Sequence, residues 1–556
     1  MIGDSGDFAL AARLALACAT MTNAVSGAGP SGSRALPDRL PSELHDQPLA
    51  RWLDAGRARV LAGDVAGAAA IFDAAHARFP FDAELWLALA GVRAQRGDPA
   101  GAETLLRGLL ERSPGHAAAA FALARLLADR QSWRAAEAVL RDAFTRFPPP
   151  PDLALRAAKM LADWGRKPAS VEIAEAAIAA GADDAMLMLY TAALQGQLGA
   201  FERARRLYRS AMERDSRTLD FGAAYGLASI TRYADRDDPD VGHFRRLLER
   251  PGLTSRVRAS LLFALGKIHD DLGDFAQAAA LLREANALVD CSGWSRKQWR
   301  RVVDARLGGR APPQRTPPAD ECVPIFIVGA PRSGTTLAAE LLGRSPLVRN
   351  RGELDWLPHY AGEVAAAAKP DRLLLDRIAA DYLARLRQED AETRWFIDKQ
   401  PLNFLHVDLI RALFPQATII HCRRNSRDTA LSIWSQHFGS TEYRFAYDFD
   451  DIATVLQGCS KLMAKAARAP GSRVLELRYE ELVREPQAIV DALADRLGLP
   501  RFDSRESADA REAIGTASLW QARQPVYTRA IGRWRAYAEF VPELLRFADD
   551  GAVPGA

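Results

Sequence analysis

At 556 residues the chain has room for two to four domains, and its apolar share of 48% and charged share of 26% are those of ordinary globular protein. A formal net charge of +3 excludes the strong positive field of a nucleic-acid binder. The cysteines (Cys18, Cys291, Cys322, Cys422, Cys459) are scattered and odd in number, with no C-x-x-C pair, which excludes a disulfide framework or cysteine-built zinc site and suits a reducing, cytoplasmic compartment.

In chain order, residues 1–44 are expected to be a leader and flexible linker. Phe8 to Ala19 is apolar, but Asp4 and Asp7 precede it and no basic residue does. It is also shorter than the roughly 20 apolar residues that a membrane span needs, so no span is expected. Asn23 to Pro41 is rich in Gly, Ser and Pro.

Residues 45–290 read as helical, dense in Ala, Leu and Arg. Gly63-Asp64, Gly97-Asp98, Gln131-Ser132, Gly165-Arg166 and Gly199-Ala200 each follow the one before by 34 residues, and Pro80, Pro114 and Pro148 keep the same spacing. Small residues recur in register at Ala68, Ala102, Ala136, Ser170 and Ala204. Gly273-Asp274 opens another unit with Ala278 in register, after an irregular interval that the polar Asp215 to Asp240 region accounts for. Glycine ends one helix, Asp or Ser caps the next, alanine lets the pair approach, and proline closes the unit. The pattern resembles the tetratricopeptide repeat, which implies stacked helix pairs forming a solenoid that binds a protein or peptide, with homodimerisation as the other use of such an arm.

Residues 291–320 are expected to be a linker: Arg296 to Arg306 is a basic helix, and Gly308 to Pro318 is rich in Pro and Gly. Residues 321–548 then alternate strands with helices, the mark of a parallel sheet. Strands are expected at Ile325 to Val328, near Leu347 to Glu353, at Thr393 to Asp398, at Ala417 to Cys422 and at Val474 to Leu477. One helix is expected over Ala361 to Arg387 and another over Asn403 to Leu413. The expected fold is thus an all-α solenoid followed by a P-loop-like, three-layer α/β domain. Ligands of such sheets sit beyond the carboxyl ends of the strands, where Arg332, Glu353, Lys399, Arg424 and Tyr479 fall.

The first strand leads into Gly329-Ala-Pro-Arg-Ser-Gly-Thr-Thr336, a glycine-punctuated turn at a helix N-terminus. Its N–H groups and hydroxyls suit an anion. The spacing is that of the nucleotide-triphosphatase loop, but Thr335 stands where that loop has lysine, and the loop's cation is Arg332. Such a loop is poorly equipped for a β,γ-phosphate pair with magnesium.

With these motifs in hand, about 225 residues from Cys322 to Phe547 resemble a sulfotransferase domain that uses 3′-phosphoadenosine 5′-phosphosulfate (PAPS), nearest to the tyrosylprotein sulfotransferases and the bacterial tetratricopeptide-repeat sulfotransferases. The resemblance implies that Pro331-Arg332-Ser333-Gly334-Thr335-Thr336-Leu337 binds the 5′-phosphosulfate, and that Arg424 and Ser432 hold the 3′-phosphate. It implies Glu353, in Arg351-Gly352-Glu353, as general base, and Lys399, in Lys399-Gln400-Pro401, as the cation on the leaving oxygen. Gln400 replaces the family's Asp. Tyr479 stands at a cofactor-contacting position, where plain packing is the other role. Arg533 is expected to meet the phosphates, Ser518 the 5′ end, and Trp534 either adenine or the core. Arg423 and Arg427 flank Arg424, sharing its phosphate or forming salt bridges, and His437 is either an alternative base or a surface histidine. No metal is implied. Leu354-Asp355-Trp356 replaces the basic residues that suit acidic peptides, so a protein tyrosine, a sugar hydroxyl and a small phenol all stay open as acceptors. Two other readings are a P-loop kinase or nucleotidase, and a non-catalytic repeat adaptor with a decayed sulfotransferase domain.

Overall fold

The computed structural model describes residues 44–318, 321–367, 370–388, 393–505 and 526–550. The chain divides into two compact units, one ending at Asp183 and the other beginning at Asp184.

The first unit is built of helix pairs: Leu49–Leu61 with Val65–Arg78, Ala83–Gln95 with Pro99–Arg112, Ala117–Asp129 with Trp133–Arg146, and Pro151–Asp163 with Lys167–Ala179. The turn inside each pair needs a left-handed residue, supplied by Gly63, Gly97 and Gly165 at φ 79°, 79° and 77°. Gln131 takes the same place at φ 59° and bears the steric cost that glycine avoids. Asp64 and Asp98 cap the following helices, accepting from the Gly67 and Gly101 N–H groups at 2.8 Å. Ser132 makes no side-chain cap, contrary to the expectation for that position. Ala68, Ala102, Ala136 and Ser170 are all wholly buried where paired helices meet.

The second unit opens with further helix pairs, Ala185–Gln197 with Phe201–Arg214 and Ser255–Asp271 with Phe275–Leu288. Between them the regular pattern gives way to a 3₁₀ turn at Ser216–Phe221, a short helix at Ala223–Ser229 and a helix at Pro239–Leu248. The helix Arg296–Gly308 follows, and it is packed rather than free. Trp294 and Trp299 meet the Phe445 ring at 5.5 and 6.5 Å, and Val303 is buried. Farther on, buried Arg315 pairs with Glu321 at 2.7 Å and Asp376 at 2.9 Å.

The α/β portion is one parallel sheet of five strands, β1 (Val323–Gly329), β2 (Val348–Asn350), β3 (Trp395–Asp398), β4 (Thr418–Arg423) and β5 (Val474–Arg478), in the order β2-β3-β1-β4-β5. β1 is central, with Ile325 opposite Ile397 on one side and Thr418 on the other. Both faces are covered, so its side chains are buried in an unbroken run from Pro324 to Gly329 and enter the two cores in turn. Ile325 and Ile327 pack with Leu341, Leu342 and Val490 of helices Thr335–Leu342 and Pro486–Leu497. Phe326 and Val328 enter a larger core that holds Tyr382, Phe414, Ile452 and Val455, and also Leu262, Phe263 and Leu282 of the last helix pair.

Two helices differ from expectation. The single helix expected over 361–387 is two, Trp356–Ala366 and Arg372–Arg387, since Pro370 lies between them and disfavours helix at the preceding residue. The long helix Phe449–Arg468 was not anticipated, although Asp448 caps it and its apolar residues recur at helical spacing.

Candidate active site

β1 and β4 are hydrogen-bonded neighbours as far as Gly329 and Cys422, and the chain's crossovers run to opposite sides of the sheet there. Their loops therefore leave the sheet side by side at the topological switch point. A Cβ on Gly329 would stand 2.5 Å from the Cys422 carbonyl, and one on Gly334 (φ 101°) would stand 2.7 Å from the Tyr479 ring. Only glycine permits either approach. Arg332 is itself left-handed at φ 68°, a costly conformation for a long side chain.

This bent loop brings Arg332 to Arg424. Arg424 donates to the Arg332 carbonyl at 3.3 Å and to the Ala530 carbonyl at 2.6 Å, and lies 4.7 Å over the Tyr479 ring. Arg332 Nε donates to Ser432 Oγ at 3.0 Å. Burial pulls the Arg332 guanidinium down to about 10 and nearby Arg424 adds to the effect, while the surrounding tyrosines oppose it. A cavity of about 540 Å³ opens at this point, lined by Arg332, Gly334, Thr335, Thr336, Arg424, Ser432, Tyr479 and Arg533. Its other wall holds Tyr225, Lys267 and Asp270 of the repeat portion. Ser333 is not in the lining; it is buried beneath the loop, where its Oγ finds no hydrogen-bond partner among the described residues.

Glu353 and Lys399 come together apart from that cavity lining. Parallel pairing of β2 with β3 continues past the strand ends, with Arg351 N donating to the Ile397 carbonyl at 2.9 Å and Lys399 N to the Gly352 carbonyl at 2.8 Å. Gly352 turns at φ 75°, and the Glu353 carboxylate then forms an ion pair with the Lys399 ammonium. The Lys399 side chain is 2% exposed and that of Glu353 26%, so the carboxylate faces outward from a buried cation.

Three carboxylates that the sequence reading did not single out hold these loops. Asp398 is wholly buried, accepting from the Tyr382 hydroxyl at 2.6 Å and Asn403 Nδ2 at 3.0 Å. Burial pushes it up to about 7 against those bonds, the Leu354 N–H and the Lys399 charge. Glu480 accepts from Asn425 N at 2.8 Å and so anchors the turn after β4. Asp428 accepts from Gly532 N at 2.6 Å and Trp534 N at 2.9 Å, tying the C-terminal segment to helix Ser426–Trp434. An Asp in a helix's first turn was the one visible signal for Asp428.

The remaining candidates sort by their contacts. Arg423 pairs with Glu476 at 3.0 Å, and Arg427 lies 4.4 Å over Trp534 and pairs with Asp549 at 3.5 Å. Trp534 is a core anchor, 8% exposed. His437 is no surface histidine: it stacks on Phe263 at 4.9 Å, and burial pulls its imidazole down to about 4. Arg533 is ion-paired with Asp270. Ser518 lies outside the described residues. Among the described residues no group of three or more His, Cys, Asp or Glu is arranged to hold a metal ion, and no helix is long and apolar enough to cross a membrane.

Residues 324–504 match the sulfotransferase family, and residues 59–126 and 93–159 match the tetratricopeptide repeat. The chain is 29% identical over 344 residues to an uncharacterized protein of Aquifex aeolicus, covering 56% of this chain but spanning only 44% of that relative. It is 24% identical over 258 residues to protein-tyrosine sulfotransferase 1 of Danio rerio, covering 41% of this chain and 72% of that one. Among solved structures, the sulfotransferase domain from the curacin biosynthetic pathway is 18% identical, with 42% of this chain and 99% of that one covered at a TM-score of 0.30. The chain thus carries helical tetratricopeptide repeats followed by a sulfotransferase domain built on a five-stranded parallel sheet.

Proposed function

With residues 324–504 a sulfotransferase-family domain, we propose that the chain moves a sulfuryl group from PAPS to an acceptor hydroxyl. The observation that carries this reading is the convergence on one cavity of Arg424, from the turn after β4, and Arg332, from a loop whose lysine position is Thr335. Two arginines, threonine hydroxyls and a helix N-terminus suit a nucleotide with separate anionic groups, and arginine grips phosphate bidentately. Arg424 Nε is buried and finds no acceptor among the described residues, in keeping with an anion as its partner.

PAPS, when bound, supplies the activated sulfuryl group. Arg332, Gly334, Thr335 and Thr336 hold its 5′ end, and Arg424, Ser432 and Tyr479 its 3′-phosphate, with Arg533 beside it. Glu353 takes the proton of the acceptor hydroxyl as the new oxygen–sulfur bond forms. Lys399 turns from Glu353 to the phosphate oxygen released when the old sulfur–oxygen bond breaks. Burial, with Asp355 and Glu353 nearby, pushes the Glu442 carboxyl up, so carboxylates cluster around the proposed base. A strongly acidic peptide would meet repulsion there, which favours a neutral acceptor: a sugar hydroxyl, a small phenol, or a tyrosine in a neutral context.

The repeats of the first unit are proposed to bind the acceptor or a partner protein. A cavity of about 200 Å³ lined by Phe72, Leu87, Leu106, Phe121 and Leu126 supports this use.

The test is calorimetric titration of the full chain with adenosine 3′,5′-bisphosphate (PAP), the desulfated product. Binding is expected without magnesium and is expected to vanish in Arg332→Ala. Equal binding of ATP–magnesium and PAP would sink the reading in favour of a nucleotidase. Transfer of ³⁵S from PAPS to a lysate component should fall at least about 100-fold in Glu353→Gln, the scale of a lost general base.

A further inference from the structure

Two parts of the proposed donor cavity's lining lie outside the family-matched residues 324–504: the C-terminal segment that carries Arg533 and a wall from the repeat portion. Three helices of the repeat portion build that wall, the short Ala223–Ser229, Ser255–Asp271 and Phe275–Leu288. Their contacts with the α/β portion are specific. The Tyr225 hydroxyl accepts from Gln436 Nε2 and lies close enough to Arg332 for the two groups to interact electrostatically. Burial pushes Tyr225 up to about 12, so at neutral pH it keeps the proton that it can donate.

Asp270, at the end of its helix, meets the segment that carries Arg533. Its carboxylate pairs with the Arg533 guanidinium and accepts from the Tyr537 hydroxyl. The same segment is fastened to helix Phe275–Leu288 twice more. The Phe275 and Tyr537 rings lie 5.2 Å apart, and Arg283 pairs with Glu543 at 2.7 Å and donates to the Phe540 carbonyl at 3.3 Å. On its other side Asp428 holds Gly532 and Trp534. Arg533 and the Ala530 carbonyl that accepts from Arg424 are thus fixed between the last helix pair and helix Ser426–Trp434. The remaining charges of the repeat wall are matched locally: Lys267 pairs with Asp271 at 2.6 Å and Arg232 approaches it at 3.8 Å.

We propose that the last repeat elements are an integral wall of the donor site: Asp270 is a positioning residue that aims Arg533 at the nucleotide, and Tyr225 offers its hydroxyl to the anion held by Arg332. The repeat portion then sets donor affinity, besides whatever it recruits. This inference rests on the donor reading given above.

The experiment is PAP titration of the full-length chain and of its Asp270→Asn, Tyr225→Phe, Arg533→Gln and Asp270→Asn/Arg533→Gln variants, with thermal midpoints measured alongside. Asp270→Asn should raise Kd about tenfold, the cost of loosening one charge-assisted contact, and Tyr225→Phe about fivefold, the cost of one neutral hydrogen bond. Asp270→Asn should add nothing in the Arg533→Gln background, an outcome that general destabilisation would not produce. In turnover assays, KM for PAPS should rise while kcat holds. Unchanged affinity in both Asp270→Asn and Tyr225→Phe overturns the inference, and so does tighter binding by Asp270→Asn, which would make Asp270 a competitor of the phosphate. If PAP binds the wild type and Arg332→Ala abolishes it while the repeat variants bind normally, only this inference fails. A wild type that binds no PAP removes the donor reading and the inference with it.

Discussion

Asp398 sits one residue before the proposed catalytic lysine, wholly buried, and its burial rather than its sequence context gives it influence. Folded, it keeps its proton up to about pH 7; unfolded, only up to about 3.8. Between those values the folded state holds more protons than the unfolded one, so this group's contribution to stability falls as pH rises and levels off above 7. Asp398→Asn removes the dependence. Thermal melts from pH 4 to 7.5 should therefore show the variant gaining on the wild type, by an amount on the order of a few kcal/mol across the window. A difference that stays constant would contradict the assignment. Arg332, Arg424, Glu353 and Lys399 could be named from sequence because loop motifs at strand ends announce polar chemistry. Asp398, Asp428 and Glu480 could not, because a carboxylate that supports a loop from beneath looks the same in sequence as one on the surface.

Helix pairs repeat a local recipe, and the exceptions to it are measurable. Gln131 occupies the left-handed turn position that glycine fills in neighbouring pairs, at φ 59°. Gln131→Gly should stabilise the chain by about 0.5–1 kcal/mol in urea unfolding, the relief of strain exceeding glycine's greater unfolded freedom. A loss of stability would mean that the Gln131 side chain makes a compensating contact. The stretch between repeats and sheet offers the opposite case. Composition suggests a tether, yet Arg315 is buried, pairs with two carboxylates nearer the surface and donates to the Leu413 carbonyl at 3.1 Å. Arg315→Ala should cost about 1–3 kcal/mol, since it leaves the Leu413 carbonyl and the largely covered Glu321 without their donor, while half-exposed Asp376 regains water. A change within experimental error in denaturant midpoint would show the segment to be dispensable. Proline and glycine content signals an irregular backbone; it carries no information on whether that backbone is anchored.

Across the whole molecule, the compact unit that begins at Asp184 cuts through the repeats, because Leu262, Phe263 and Leu282 of the last helix pair belong to the same core as Phe326 and Val328 of the central strand. A chain beginning at residue 291 should therefore fail to unfold cooperatively and should expose apolar surface to a hydrophobic dye. A chain beginning at Asp184 should melt in a single transition and retain PAP binding. Cooperative folding of the shorter chain would make the last helix pair an accessory rather than a part of the domain.

The sequence by itself determined the helical repeats, the parallel sheet and the anion loop, because a 34-residue period, buried strand runs and glycine-punctuated strand ends are local patterns with local causes. Only the tertiary structure decided that Glu353 meets Lys399, that Arg332 and Arg424 share one cavity, and that the repeat residues Tyr225 and Asp270 line it as well. Those facts depend on strand order and on which helix faces share a core, and no periodicity in the chain records which distant residues those choices bring together.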